Sequence, residues 1–187
     1  AFNLAKEADA AHPCSMPNAS AYCSYKSHVK EYHWPRPKER LKFDKNTKYF
    51  TIYGGDYDSA AWLRMHVWNF FSHENARGSL PINWAFNPNL SERAPMVFDY
   101  VYEHKTDNDF FIAGDSGAGY VIPFGLTAAC NYRENPPAIF EWAKYSKPYY
   151  ERFDYDITGF IINGNETVTN EIMAAFNEIS PKGSFHN

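Results

Sequence analysis

From Lys48 onward, short runs of β-branched and aromatic residues alternate with longer segments whose apolar positions recur every three or four residues. Tyr49-Phe50-Thr51-Ile52-Tyr53 predicts a first strand that stops at Gly54-Gly55. Asp58 or Ser59 then offers a helix N-cap, and apolar residues from Ala60-Ala61-Trp62-Leu63 to Phe70-Phe71 keep helical spacing until Gly78. The unit repeats. Pro81 to Phe86 reads as a second strand, Asn87-Pro88-Asn89 as a turn, and Leu90 to Lys105 as a helix. Its Pro95 falls in the first turn or two, where a missing N–H matters least. Phe110-Phe111-Ile112-Ala113 is the third strand and leads into the glycine-rich loop Gly114 to Tyr120. Residues 138–152 predict a helix, Thr158 to Asn163 a fourth strand, and Asn170 to Ile179 a closing helix.

Residues 1–47 lack this rhythm. They carry Pro13, Pro17, Pro35 and Pro37 and a charged stretch from Pro35 to Lys48, with at most a short helix near Ala21 to Lys30. The chain therefore divides into a loop-rich lead-in, 1–47, and an α/β domain, 48–187. Alternation of β and α at this spacing predicts a parallel sheet whose strands are buried on both faces. Four βα units are half of an eight-stranded barrel, which takes about 250 residues. The expected fold is thus an α/β domain of repeated βα units, a partial or distorted TIM-barrel-like sheet completed by chain beyond these residues.

Composition narrows the function classes. The 187 residues are 44% apolar and 21% charged, as in an ordinary globular domain. A net charge of -4 and a pI near 6.0 argue against a nucleic-acid binder. No stretch approaches the ~20 apolar residues of a membrane helix. The opening Ala-Phe-Asn-Leu-Ala-Lys-Glu has neither an initiator Met nor a signal-peptide core, so we expect the chain to be part of a longer polypeptide. Fifteen Phe, fourteen Tyr and five Trp make 18% aromatic, and such rings serve both cores and sugar-facing clefts. Cys14 and Cys23 are close enough in sequence to pair, leaving Cys130 over. Glycosylation patterns occur at Asn18, Asn89 and Asn165, against about one or two that the Asn content gives by chance, and are no evidence of secretion.

In parallel α/β folds chemistry gathers at the carboxyl ends of the strands, where loops converge and helix N-termini point their N–H groups. The first such loop holds Asp56, Tyr57 and Asp58; the second Trp84, Asn87 and Asn89; the third Asp115, Ser116 and Tyr120; the fourth Asn163, Asn165 and Glu166. Carboxylates beside aromatics and amides are what glycoside hydrolysis needs: one acid, one base or nucleophile, and groups that hold the sugar. The same residues also suit plain structural work, Asp58 as an N-cap and Asp56 and Asp115 as acceptors of turn amides. Other chemistries fit worse. Gly117-Ala118-Gly119 lacks the third glycine of a dinucleotide fingerprint, no phosphate-loop Lys follows, and no His-x-x-x-His pair occurs. Gly114-Asp115-Ser116-Gly117 is one residue short of a nucleophile elbow. No metal site is expected, although Asp56 and Asp58 could hold a hard cation with an outside ligand.

The segment Gly117-Ala118-Gly119-Tyr120-Val121-Ile122-Pro123 resembles the defining motif of the GxGYxYP family of glycoside hydrolases. Three further segments are similar to the C-terminal domain of that family, in the same order: Gly55 to Trp62, Pro81 to Leu90 and Asn108 to Gly117. Residues 48 to 125 carry most of the resemblance. Ile122 stands where the name-giving pattern has its second Tyr, and Gly-Gly-Asp-Tyr-Asp replaces the Asp-Gly-Asp-Asn of some members, so that only Asp56 aligns there. The resemblance implies a barrel-like catalytic domain preceded by a separate N-terminal domain, in extracellular or cell-surface proteins that process carbohydrate. No cofactor is expected.

The expected assignment has Asp56 and Asp115 as the carboxylate pair, with Asp58 as support or substitute. Trp84, Tyr57 and Tyr120 would line sugar subsites, and Asn87, Asn163 and Ser116 would bond hydroxyls. The expected partners are a carbohydrate and the remaining chain of the parent protein. Two alternatives stay open: a glycan-binding module without catalysis, and a component of a larger assembly.

Overall fold

Every predicted strand from the second onward forms within a residue or two of its predicted position. A computed structural model describes residues 19–29, 32–36, 42–57, 63, 67–71, 77–130, 136–162 and 166–186. Strands β1 (Tyr53–Tyr57), β2 (Ile82–Phe86), β3 (Asp109–Ala113), β4 (Ile157–Ile161) and β5 (Gly183–His186) lie side by side in sequence order. Each neighbouring pair is parallel. The order never reverses, whereas a doubly wound sheet turns back at a switch point. The sheet therefore grows in one direction, as in successive units of a (β/α) barrel, and β3 is its central strand.

Helix α1 (Ala19–Ser24) lies in the lead-in, and residues 67–71 are helical after β1. A 3-10 turn, Pro88–Glu92, leads from β2 into α2 (Pro95–Glu103), which starts on Pro95 as expected. A second 3-10 turn, Pro123–Leu126, precedes α3 (Ile139–Arg152) and α4 (Asn170–Ile179). The Thr169 hydroxyl accepts the Ile172 N–H at 3.2 Å, which caps α4. The core is ring-rich: Phe86 packs on Phe98 and Phe111, Tyr102 stacks on Phe111, and Trp142 meets Phe176 at 5.0 Å.

β1 begins four residues later than the pattern predicts. Tyr49 and Phe50 are exposed, and pairing starts where Asn83 N–H bonds the Ile52 carbonyl at 2.9 Å. The two glycines, expected as a stop, are strand residues that the packing requires: a Cβ on Gly54 would lie 3.1 Å from the Trp84 ring, and one on Gly55 would lie inside the Tyr53 ring contact. β5 has no counterpart in the sequence pattern.

The lead-in packs into the domain. Tyr32 and Trp34 are buried, with Tyr32 against Tyr102 and Phe153, and the Trp34 indole donates to the Asp154 carbonyl at 3.0 Å. Ser27 and Tyr32 donate to the buried Asp99 carboxylate of α2 at 2.5 and 2.6 Å, and Tyr25 donates at 3.1 Å. Cys23 and Cys130 are free thiols, and the Cys23 Sγ lies 3.7 Å from the Arg93 carbonyl; Cys14, close enough in sequence to pair with Cys23, lies outside the described residues. Among the described residues no helix is long and apolar enough to cross a membrane.

Candidate functional site

Among the described residues, the loop that leaves central strand β3 has the least ordinary backbone. Gly114 N–H extends the sheet ladder to the Phe86 carbonyl at 3.0 Å, and Gly117 N–H returns to the Gly114 carbonyl at 2.8 Å. Between them Asp115 and Ser116 have φ of 52 and 64°, both left-handed, the signature of a type I′ turn. Gly117, Gly119 and Tyr120 follow at 94, 109 and 53°. Each non-glycine residue so placed costs about 1 kcal/mol or more, and persists only where its surroundings impose it.

Those surroundings are specific. The Asn87 side-chain oxygen accepts the Gly119 N–H at 3.2 Å, and the Ser116 hydroxyl oxygen accepts the Ile162 N–H beyond β4 at 2.7 Å. A Cβ on Gly114 would lie 3.0 Å from the Ala85 carbonyl oxygen, so β2 and the turn touch backbone to backbone. A Cβ on Gly117 would lie 2.7 Å from the Tyr150 hydroxyl. That hydroxyl is bonded to Thr158 at 2.6 Å, and burial raises its pKa far above the ordinary tyrosine value, so it stays a neutral phenol. The result is a turn that buries Asp115 and Ser116 while leaving Tyr120 and Ile122 about half exposed, at 51% and 55%.

Two strands away, the end of β1 is also irregular. Gly54 pairs with Trp84 but Tyr57 with Phe86, three residues on β1 against two on β2, so Gly55 and Asp56 form a bulge. Bulges re-aim the chain and occur at barrel rims. Tyr57, Phe86 and Ala113 are level in the register, which brings the backbones of Asp56, Tyr57 and Asp115 to one sheet edge. β2 separates them, a lateral span of about 9–10 Å for two strand spacings. Asp58 and Asn163 lie outside the described residues.

Three residues expected to face substrate do something else. Trp84 is buried, packs on Phe71 at 5.1 Å, and donates its indole N–H to Asp109 at 2.7 Å. Asp109 opens β3 and also pairs with Arg77, so the Trp84 indole is directed toward the amino end of the sheet, away from the loops. Asn87, expected to bond a sugar hydroxyl, is buried, and its side-chain oxygen accepts the Gly119 N–H. Ser116 is buried and its oxygen accepts from Ile162. Sequence reasoning missed Trp142, Tyr150 and Thr158, which brace the loop from α3 and β4. In α3 the pattern gives the first two an apolar face, which assigns them to the core without saying what they touch there.

Among the described residues no three His, Cys, Asp or Glu gather as metal ligands do. A cavity of about 340 Å³, lined by Tyr22, Trp68, Met96 and Tyr100 among others, is formed by helical segments and contains no strand-end residue.

The family described as "GxGYxYP putative glycoside hydrolase C-terminal domain" matches residues 46–187. Among solved structures, the crystal structure of a "putative hydrolase" from Bacteroides thetaiotaomicron VPI-5482 matches with a TM-score of 0.68 over 90% of this chain, at 22% identity. The chain spans 31% of that protein's length. No curated protein matches the sequence significantly.

Proposed function

From the premise that the chain belongs to the GxGYxYP family, as its C-terminal domain, we propose that it acts on a polysaccharide or glycoconjugate and cleaves a glycosidic bond by carboxylate chemistry. The observation that carries this reading is the strained turn after β3. It sets a carboxylate, Asp115, just ahead of the family motif and an exposed ring, Tyr120, within it, both at the carboxyl end of the central strand. Asp115 and Asp56 are the proposed acid and base or nucleophile, the two roles glycoside hydrolysis divides between carboxyl groups. Tyr120 offers a face on which a sugar ring stacks. Tyr57, Asp58 and Asn163 belong to the same strand-end loops and complete the proposed set. An extracellular or cell-surface setting accords with such a substrate.

One observation favours a second reading, a glycan-binding module without turnover: Asp115 is only 1% exposed, whereas the neighbouring Tyr120 is open to solvent. A single experiment separates the two. The protein carrying this chain is incubated with a panel of polysaccharides and glycoconjugates, beside an Asp56→Asn, Asp115→Asn double variant. Asn tolerates the left-handed region as well as Asp does, so the variant keeps the turn and the fold. Sugar release that disappears in the variant supports the hydrolase. Release that survives it overturns the carboxylate assignment, and binding without release by either protein selects the binding module.

A further inference from the structure

Ala118 lies between two left-handed stretches, Asp115–Gly117 and Gly119–Tyr120, and is buried. The peptide joining Ala118 to Gly119 is held at both of its polar ends. Its carbonyl accepts the Trp142 indole N–H of α3 at 2.9 Å, and its N–H donates to the Asn87 side chain at 3.2 Å. Nothing local would hold it otherwise. Gly119 accepts either sign of φ, and a Cβ there would meet no atom closer than 3.6 Å, so the backbone preference and side-chain packing of residue 119 do not by themselves fix this peptide. A turned peptide would break both bonds at once and leave the buried Trp142 indole N–H without its acceptor.

We propose that Trp142 and Asn87 are positioning residues that clamp the 118–119 peptide and so fix the direction of Tyr120 relative to the Asp115 turn. The two clamps come from different elements, α3 and the loop after β2, and both side chains are themselves buried. Phe176 of α4 backs the Trp142 ring, which keeps the indole N–H aimed at the loop. For what the loop does, this inference rests on the carbohydrate reading; for how the loop is held, it stands on the geometry alone.

Hydrogen exchange of individual amides, read by NMR on the protein carrying this chain, tests the clamp directly. Trp142→Phe keeps a ring and removes the donor; Asn87→Leu removes the acceptor, while Asn87→Asp keeps one. We expect the first two to speed exchange at Gly117 and Gly119 about tenfold, with β3 and α4 amides unchanged, and Asn87→Asp to restore slow exchange at Gly119. In glycan binding, Trp142→Phe and Tyr120→Ala should each weaken affinity, and the double variant should be no weaker than Tyr120→Ala alone. Unchanged exchange in the loop, or faster exchange throughout the protein, overturns the clamp. If the wild type binds no glycan, the carbohydrate reading fails while the exchange data still decide the positioning.

Discussion

At Gly117 backbone and packing make the same demand. Its φ is +94°, and an added Cβ would lie 2.7 Å from the Tyr150 hydroxyl and 3.2 Å from the Trp142 ring, two buried groups with little room to retreat. Gly117→Ala should therefore cost about 2–4 kcal/mol, the sum of a left-handed alanine and an overpacked core. Gly125→Ala is the control, since a Cβ there meets nothing within 4 Å and its φ is not left-handed. It should change stability by less than about 0.5 kcal/mol. Urea unfolding of the two variants decides the matter, and equal losses would remove the special role of Gly117. At this scale the sequence showed that the loop must turn but not which way its side chains face. Trp84 and Asn87 have the residue types of a sugar site, yet strand direction and burial send one to Asp109 and the other to Gly119.

Element by element, what was legible followed the strength of the local signal. α4 is found at its predicted residues, because Thr169 caps it and Ile172, Ala175, Phe176 and Ile179 repeat at helical spacing. β1 starts later than the pattern predicts because Tyr49 and Phe50 carry strand propensity but stay exposed, Tyr49 stacked only on the likewise exposed Phe43, whereas the two glycines pack against the Trp84 and Tyr53 rings. β5 was invisible: four residues including a glycine carry no period, and its pairing with β4 is a tertiary fact. The sequence marks the lead-in as loop-rich with at most a short helix, and its described residues include the six-residue α1, but nothing in the pattern shows how it attaches. Tyr25, Ser27 and Tyr32 all donate hydrogen bonds to Asp99, about seventy positions away. Asp99→Ala should unfasten this strap, lowering stability by about 2–4 kcal/mol as the hydroxyls lose their acceptor. Limited proteolysis should then cut first within residues 25–32. First cuts elsewhere, with the strap still protected, would show that Asp99 does not hold it.

At the scale of the whole molecule, several core phenols resist ionisation while the chain is folded. Tyr102, Tyr150 and Tyr155 are buried in one core between the sheet and its helices, and burial raises all three well above the ordinary tyrosine value. In the unfolded chain the same groups lose their protons near pH ~10. The folded state therefore holds protons that the unfolded state releases. Their contribution is complete below pH ~10 and is lost as pH climbs toward the raised folded values, by about 1.4 kcal/mol per pH unit for each tyrosine. Unfolding free energies measured in urea between pH 9 and 11.5 should fall with that slope, and Tyr155→Phe should flatten it by about one proton's worth. A variant slope equal to that of the wild type would mean that Tyr155 titrates freely in the fold. The consequence reaches the site. Tyr150 stands against Gly117 and shares α3 with Trp142, so ionisation that loosens α3 from the sheet also releases the turn that holds Asp115 and Tyr120.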